Sequence, residues 1–399
     1  MIPVLFFCPT RDRPESLRKT LQGINSHCLR NIGSSYVVVV IDDSILEDNR
    51  KANQCLVAKH FKNNIFYFGL HEEQLLIKQI KACSGVSQEV LNCYLRPLGG
   101  KNWDLGAIRN YALLLVNIIG TATTTVVTID DDVKLVSLSS RLKNKNKLLK
   151  DMINAVKQNR LALVGGRLEG DPDASTIERI CLYWRKLSKN FNFKLSNREI
   201  PISGGLMAFS SYWASRIPFP RLYNEDWIWL RCCSMFGGQI VKSKVPAIHF
   251  NITPIEASKK TLYRELIGEI FFDGWNWACG NYKTRQYCYR ILRGNKYWLD
   301  ILVGQLRFIN RIRANFLKSK IGLSKYGPLL HKFISTKLIF DQVYSIVNEI
   351  KAEYMVQLTN EYVQSLMKWQ HISSIIRKTG KKYKLNFLTK QERTVWPPL

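Results

Sequence analysis

The hydrophobic and polar positions follow two rhythms along the chain. Up to residue 255, short β-branched or aliphatic runs alternate with stretches of helical spacing. Residues 3–8 read as a strand, 15–24 as a helix after the Thr10-Arg-Asp-Arg-Pro14 turn, and 36–41 as a strand ending on Asp42-Asp43-Ser44. A loop-rich, partly helical stretch is expected from there to about Gly100. Residues 105–118 then predict a helix, and 124–129 a strand that stops on Asp130-Asp131-Asp132. A Lys-rich amphipathic helix over 147–158 leads into an apolar run at 161–164 that meets Gly165-Gly166. Beyond it come a polar Gly170-Asp-Pro-Asp-Ala174 turn, an aromatic and basic helix over 177–189, and a strand at 206–210 opened by Ser203-Gly204-Gly205. Residues 223–227 start a helix with Glu225 and Asp226 in its first turn, and 244–251 form a short strand carrying His249. After 256 only long helical stretches remain. Strands alternating with helices predict an α/β fold with a mainly parallel, doubly wound sheet flanked by helices over 1–255, and a mostly helical region over 256–399.

Two of these strands end in acidic clusters, and parallel strands deliver their ends to one edge, where α/β proteins bind ligands. Helix capping explains one such cluster and poorly explains two. Side chains alternate along an extended chain, so Asp130 and Asp132 are expected on one side and Asp131 on the other. Two carboxylates on one side repel unless a cation lies between them, and oxygen ligands with room for phosphate suit Mg²⁺ or Mn²⁺. The uncharged window 111–129 imitates a membrane span. It contains Asn117, Gly120 and several threonines, so it reads instead as a helix end, a turn and a strand.

Charge narrows the partners. The chain carries 59 Lys+Arg against 31 Asp+Glu, a net charge of +28. This implies an anionic partner: nucleotide phosphates, phospholipid or nucleic acid. Within it, 256–399 holds 25 Lys/Arg against 10 Asp/Glu, interleaved with Phe271, Phe272, Trp275, Trp277, Tyr282, Tyr287, Tyr289, Tyr297 and Trp298. Such a tail suits docking on an anionic lipid surface or nucleic acid, or plain packing of aromatics beneath solvated lysines. The ten cysteines form no C-x-x-C pair and no zinc spacing, which points to a reducing compartment and so to cytosol. The apolar start at 1–8 is too short for a signal peptide.

The pieces in chain order are Thr10-Arg11, Asp42-Asp43, Leu105-Gly-Ala-Ile-Arg109-Asn110, Asp130-Asp131-Asp132, Ser203-Gly204-Gly205, Asn224-Glu225-Asp226-Trp227 and His249. In this order the chain resembles GT-A fold glycosyltransferases of the family 2-like group over roughly residues 1–252. The resemblance implies a nucleotide-binding half (1–135) and an acceptor-binding half (136–255). It implies that Thr10, Arg11, Asp42 and Asp43 line the cleft for base and ribose, and that Arg109 lies near base or pyrophosphate. Asp130-x-Asp132 matches the DxD motif: Asp130 toward ribose or metal and Asp132 on Mn²⁺ or Mg²⁺, with Asp131 between them and His249 matching a third ligand. Gly204 and Gly205 would let backbone approach the sugar. Glu225-Asp226 matches the acidic pair whose second member deprotonates the acceptor hydroxyl in inverting members. The expected reaction moves a sugar from a nucleotide-sugar, UDP-linked, to an acceptor hydroxyl. The acceptor is unnamed, with lipid-linked and nucleic-acid molecules as anionic candidates and peripheral membrane association as one consequence.

Two departures qualify the match: no glycine follows Asp42-Asp43, and the Gln-x-x-Arg-Trp motif of processive synthases is absent, so a processive polymer synthase is not expected. Related retaining enzymes place an aspartate and a histidine similarly, so stereochemistry stays open. The competing class is a nucleic-acid-binding or metal-dependent nucleic-acid-modifying protein using the same carboxylates and the positive charge. A sugar-phosphate nucleotidyltransferase is disfavoured by the lack of a Gly-rich, basic loop after the first strand.

Overall fold

A computed structural model describes residues 3–31, 36–60, 65–101, 104–135, 148–169, 176–178, 180–181, 202, 204–249, 258–282, 284–318 and 327–393. Its centre is one eight-stranded sheet in the order β3-β2-β1-β4-β7-β6-β8-β5. The strands are β1 (Val4–Thr10), β2 (Tyr36–Asp42), β3 (Ile65–Phe68), β4 (Thr125–Ile129), β5 (Val133–Lys134), β6 (Ala162–Glu169), β7 (Leu206–Ser210) and β8 (Gln239–His249). Pairs β1–β2, β1–β4, β2–β3 and β6–β8 are parallel, whereas β4–β7, β6–β7 and β5–β8 are antiparallel. Six strands therefore run one way and bring Thr10, Asp42, Ile129 and His249 to a single edge. Antiparallel β7 starts at that edge, so Gly204 and Gly205 join it.

The strands are buried on both faces, as parallel sheets require. Leu5 and Phe7 of β1 face one core, and Val4, Phe6 and Cys8 face the other. The second core is closed by α1 (Pro14–Asn31) through Leu17, Leu21 and Ile24, and by α6 (Leu148–Gln158) through Leu148, Leu149 and Met152. The first core is larger and continues into the helices that follow residue 258.

The stretch expected to be loop-rich instead holds α2 (Glu47–His60), β3, α3 (Leu70–Ser84) and α4 (Gln88–Asn92). Its polar composition hid these elements, because α2 and α3 bury narrow stripes such as Val57, Leu76 and Ile80. The uncharged window splits as expected: α5 (Leu105–Ile119) ends at Gly120, and β4 starts at Thr125. No helix among the described residues is long and apolar enough to cross a membrane. The run at 161–164 continues through both glycines as β6. A Cβ on Gly165 would meet Ile202 at 2.0 Å and one on Gly166 would meet Leu206 at 2.7 Å, so the missing side chains serve close packing rather than a turn. The Gly170–Ala174 turn and most of the 177–189 helix lie outside the described residues.

After α7 (Ser211–Ala214) and α8 (Glu225–Met235), the chain continues as α9 (Lys259–Asn281), α10 (Arg285–Leu292), α11 (Asn295–Lys318), α12 (Gly327–Glu349) and α13 (Ala352–Arg393). Phe271, Phe272, Trp275 and Trp298 are buried in the same core as the sheet, while Trp277 and Tyr287 are exposed. Helix α13 is tied to the sheet side by hydrogen bonds from Trp369 Nε1 to Ala214 O at 2.9 Å, from Tyr362 Oη to Pro218 O at 3.2 Å, and from Tyr94 Oη to Ser365 O at 2.8 Å.

Two glycines of α9 make opposite demands. A Cβ on Gly268 would sit 2.2 Å from the Tyr223 carbonyl oxygen, just before the acidic start of α8, whereas Gly280 faces open space. Gly268→Ala should cost about 1–3 kcal/mol despite the better helix propensity of alanine, and Gly280→Ala should gain up to about 1 kcal/mol. Urea unfolding of both variants reads the two signs; equal signs would show that α9 does not rest on Tyr223.

Candidate functional site

Two clusters occupy the carboxyl edge of the sheet. The first surrounds Asp43, which follows β2 and is fully buried. Its carboxylate accepts from Arg11 Nη1 at 2.8 Å, from the Gly99 backbone N–H at 2.8 Å, and from Arg96 Nη2. Burial pushes the Asp43 carboxyl above its ordinary value, opposed by Arg96, the Gly99 N–H and Arg11. Arg11 also donates to the carbonyls of Gly100 at 3.0 Å and Lys101 at 2.9 Å, so β1 and β2 are stitched to the 96–101 loop. Buried Glu73 holds that loop from below, accepting from Leu98 N at 2.9 Å and from Tyr111 Oη. Asp42 is not part of this group. Its carboxylate accepts from Ser44 N at 2.8 Å, Asn53 Nδ2 at 3.0 Å and Tyr67 Oη at 2.8 Å, toward α2 and β3.

The second cluster surrounds the acidic end of β4. Regular strand stops at Ile129, and residues 130–133 form a turn closed by Val133 N to Asp130 O at 3.1 Å. The two-residue alternation expected for Asp130 and Asp132 therefore does not apply, because it belongs to extended backbone only. Asp131 and Asp132 instead share Arg13, whose Nη1 lies 3.3 Å from Asp131 Oδ1 and 2.9 Å from Asp132 Oδ2. Thr10 donates to Asp131 Oδ2 at 2.7 Å, and Thr20 donates to the Asp131 carbonyl at 2.8 Å. Burial, with Asp132 and Asp130 adding to it against Arg13 and Thr10, pushes Asp131 up to about 7.

Asp130 faces a different cation. Arg109, on the buried first turns of α5, donates through Nη2 to Asp130 Oδ1 at 3.2 Å and to the Gly204 carbonyl at 3.1 Å, and through Nη1 to Glu225 Oε1 at 2.6 Å. Burial by itself pulls the Arg109 guanidinium down, yet Asp130, Glu225 and Asp226 together raise it above its ordinary value. Glu225 is pushed up by burial while Arg109 opposes the shift. Next to it, half-buried Asp226 accepts from Gly204 N through Oδ2 at 2.8 Å. A Cβ on Gly204 would fall 2.2 Å from that same oxygen, so only glycine admits the Asp226 carboxylate here. Gly205 supplies the other side of the junction, its carbonyl accepting from Asp130 N at 2.9 Å.

Thr10, Arg109, Asp130, Asp131, Asp132, Gly204, Gly205, Glu225 and Asp226 thus come together, with Arg11 and Asp43 alongside. His249 pairs in register with Val133, one residue after Asp132; its side chain lies outside the described ones. Among the described residues no group of three or more His, Cys, Asp or Glu side chains converges on one metal position. The donor set still suits a hard divalent cation, since Mg²⁺ and Mn²⁺ need only one or two carboxylates when phosphate oxygens and water complete the shell. Sequence reasoning missed Arg13, Thr20, Glu73 and Arg96. Arg13 sits in the same turn as Arg11, and its spacing before the Pro14 helix start was the available signal. Arg96 and Glu73 carried none, because they meet Asp43 and Tyr111 only through the tertiary fold.

No protein-family model and no curated protein matches the chain. Several solved structures are similar to it. They include a mannosyltransferase from Pyrobaculum calidifontis in complex with GDP-Man and Mn²⁺, with 12% identity and TM-score 0.45 over 90% of this chain and 87% of that one. Residues 1–349 of TarS from S. aureus match with 14% identity and TM-score 0.38 over 86% and 90% of the two chains. Glucosyl-3-phosphoglycerate synthase from M. tuberculosis matches with 12% identity and TM-score 0.40 over 69% and 80%. Likenesses at such identities say nothing of which residues act.

The pairing at Arg109 sets a stability expectation. Arg109→Met leaves the buried Glu225 carboxylate uncompensated and should cost about 3–5 kcal/mol. Adding Glu225→Gln should return part of that loss, because the stranded charge is removed. A urea double-mutant cycle measures both; strict additivity would mean that the two side chains are not coupled.

Proposed function

We propose that the protein is a glycosyltransferase that moves a sugar from a nucleotide-sugar to an acceptor hydroxyl. The observation that carries this reading is the junction in which one buried guanidinium, Arg109, joins Asp130, Glu225 and the Gly204 carbonyl while Gly204 N–H holds Asp226. It brings the strand-end carboxylates that suit a nucleotide's cation next to a carboxylate able to take a proton. Beside it, the Arg11–Asp43–Gly99 cluster offers fixed polar groups for the base and ribose of the donor.

In this reading Asp130 and Asp132 would hold Mn²⁺ or Mg²⁺, with His249 the candidate third ligand. When bound, that cation offsets the charge developing on the departing nucleoside diphosphate. Arg13, half-exposed and already bridging Asp131 and Asp132, would add a positive charge on the phosphate side of that site. Asp226 is the base. Its Oδ2 is engaged by Gly204 N–H, which leaves Oδ1 to accept the acceptor's hydroxyl proton as the acceptor oxygen bonds to the anomeric carbon and the glycosidic bond to the diphosphate breaks. Glu225, neutralised by Arg109, orients this helix start rather than moving a proton. The outcome is inversion at the anomeric carbon, and the donor is UDP-linked. The net charge of +28 supports an anionic acceptor.

Incubation with a panel of nucleotide-sugars and Mn²⁺ should release a nucleoside diphosphate from one of them. Asp132→Asn should lower that release by about a hundredfold or more, since the cation's contribution is worth several kcal/mol. Full turnover in EDTA would sink the metal assignment.

Asp226→Asn should abolish transfer while donor affinity stays within about threefold, because a base acts mainly in the transition state. Titration of donor against the variant and NMR of the product's anomeric configuration measure the two parts. A retained configuration would remove Asp226 from the base role.

A further inference from the structure

At the other edge of the sheet the chain forms a cavity of about 510 Å³. Ser215 and Arg216, which follow α7, line one side; Ser373, Ser374, Arg377 and Lys378 of α13 line the other. Antiparallel β7 sets this position: Ser210 pairs with Thr125 at the start of β4, whereas Asp130 follows the end of the same strand. At ~3.3 Å per residue the two ends of β4 lie roughly 15 Å apart. The cavity is therefore separate from the site described above.

Its walls are fixed by neutral partners. The Ala214 carbonyl accepts from Asn117 Nδ2 at 3.1 Å and from Trp369 Nε1 at 2.9 Å, and Gln370 Nε2 donates to the Arg216 carbonyl at 3.3 Å. The Arg216 guanidinium lies over the Tyr212 ring, 4.0 Å from its centroid, and Arg377 Nη2 donates to Asn117 Oδ1 at 3.1 Å. Two guanidinium groups are thus held in place without a balancing charge. Among the described residues no carboxylate lies within ion-pair distance of Arg216, Arg377 or Lys378. Burial, with the neighbouring Arg216 charge adding to it, pulls the Arg377 guanidinium below its ordinary value. By contrast, buried Arg109 meets Asp130 and Glu225, and half-buried Arg11 and Arg96 meet Asp43.

An oxyanion is the ligand that such a pair lacks, because its planar fork matches phosphate and the like charges then stop repelling. The volume lies in the range of small-molecule sites and far exceeds one phosphate group. The rest of the lining is hydroxyl and amide, from Ser215, Ser373, Ser374 and Gln370, which suits a ligand that carries hydroxyl groups. We propose that this cavity binds the phosphate ester of a polyhydroxylated molecule, its phosphate held between Arg216 and Arg377 with Lys378 at the mouth. The same chemistry occurs in a free sugar phosphate and in a phosphorylated inositol headgroup on a membrane. The proposal does not depend on the transfer reaction.

Calorimetric titration of the full chain with glucose 6-phosphate tests it, with glucose as the uncharged control. Glucose 6-phosphate should bind and glucose should not. Arg216→Gln and Arg377→Gln should each weaken binding about tenfold or more, as loss of a charged hydrogen bond does. Arg377→Gln removes the charge while keeping a polar side chain, and circular dichroism checks that both variants fold. Lys378→Gln, at an exposed position, should weaken binding about threefold and flatten its salt dependence whether or not the arginine variants fold. Asp132→Asn should leave the titration within about twofold, which separates this cavity from phosphate binding at the carboxyl edge. Flotation with vesicles containing phosphatidylinositol phosphate distinguishes the sources: flotation lost in Lys378→Gln assigns the headgroup, and its absence beside glucose 6-phosphate binding assigns the free ester. Absence of binding in both arms overturns the proposal. So does binding indifferent to Arg216, Arg377 and Lys378 but lost in Asp132→Asn.

Discussion

The buried guanidinium of Arg109 is the constraint on which the carboxyl edge depends. A desolvated cation costs several kcal/mol unless its charge is met, and here both Nη groups are met by Asp130, Glu225 and the Gly204 carbonyl. These three groups come from β4, α8 and the turn before β7, elements far apart in the chain. Satisfying one side chain therefore fixes the position of three segments. Asp226 is placed by the same arrangement, because the Gly204 peptide whose carbonyl meets Arg109 also presents its N–H to Asp226.

The rest of the edge is built on the same economy of charge. Asp43 is wholly enclosed, and two arginines and a backbone N–H keep it from being a stranded charge. Asp131 and Asp132 share the more exposed Arg13. Cations from the turn after β1, from α5 and from the 96–101 loop thus hold the acids that follow β2 and β4. Glycine matters where backbone must come close: Gly204 under Asp226 and Gly268 under Tyr223 both remove a clash near 2.2 Å.

The helices after residue 258 share the larger core with the sheet. Phe271 stacks on Trp298 and meets Trp275 at a tilt, and Trp275 also meets Tyr362 of α13. Much of the aromatic content that composition alone left open between docking and packing is therefore used in packing. Arg377 of these helices is drawn inward beside Arg216, while its neighbour Lys378 is exposed.

Sequence by itself determined the alternation of strands and helices, the acidic ends of β2 and β4, the helix that carries Arg109, and the glycine pair ahead of β7. These are local facts, set by β-branched runs, helical periodicity and breaker residues. Only the tertiary structure decided what each acid does. Asp42 and Asp43 are neighbours in sequence, yet one turns toward Asn53 and Tyr67 and the other toward Arg11 and Arg96. Alternation could not rank Asp130, Asp131 and Asp132, because the chain leaves extended geometry at Ile129 and a turn sets their directions. The pairing of Arg216 with Arg377 was equally hidden, since the two residues meet only once α13 crosses the amino ends of the strands. Charge pairing is long-range in sequence and short-range in space, so the chain order names the groups and the fold chooses their partners.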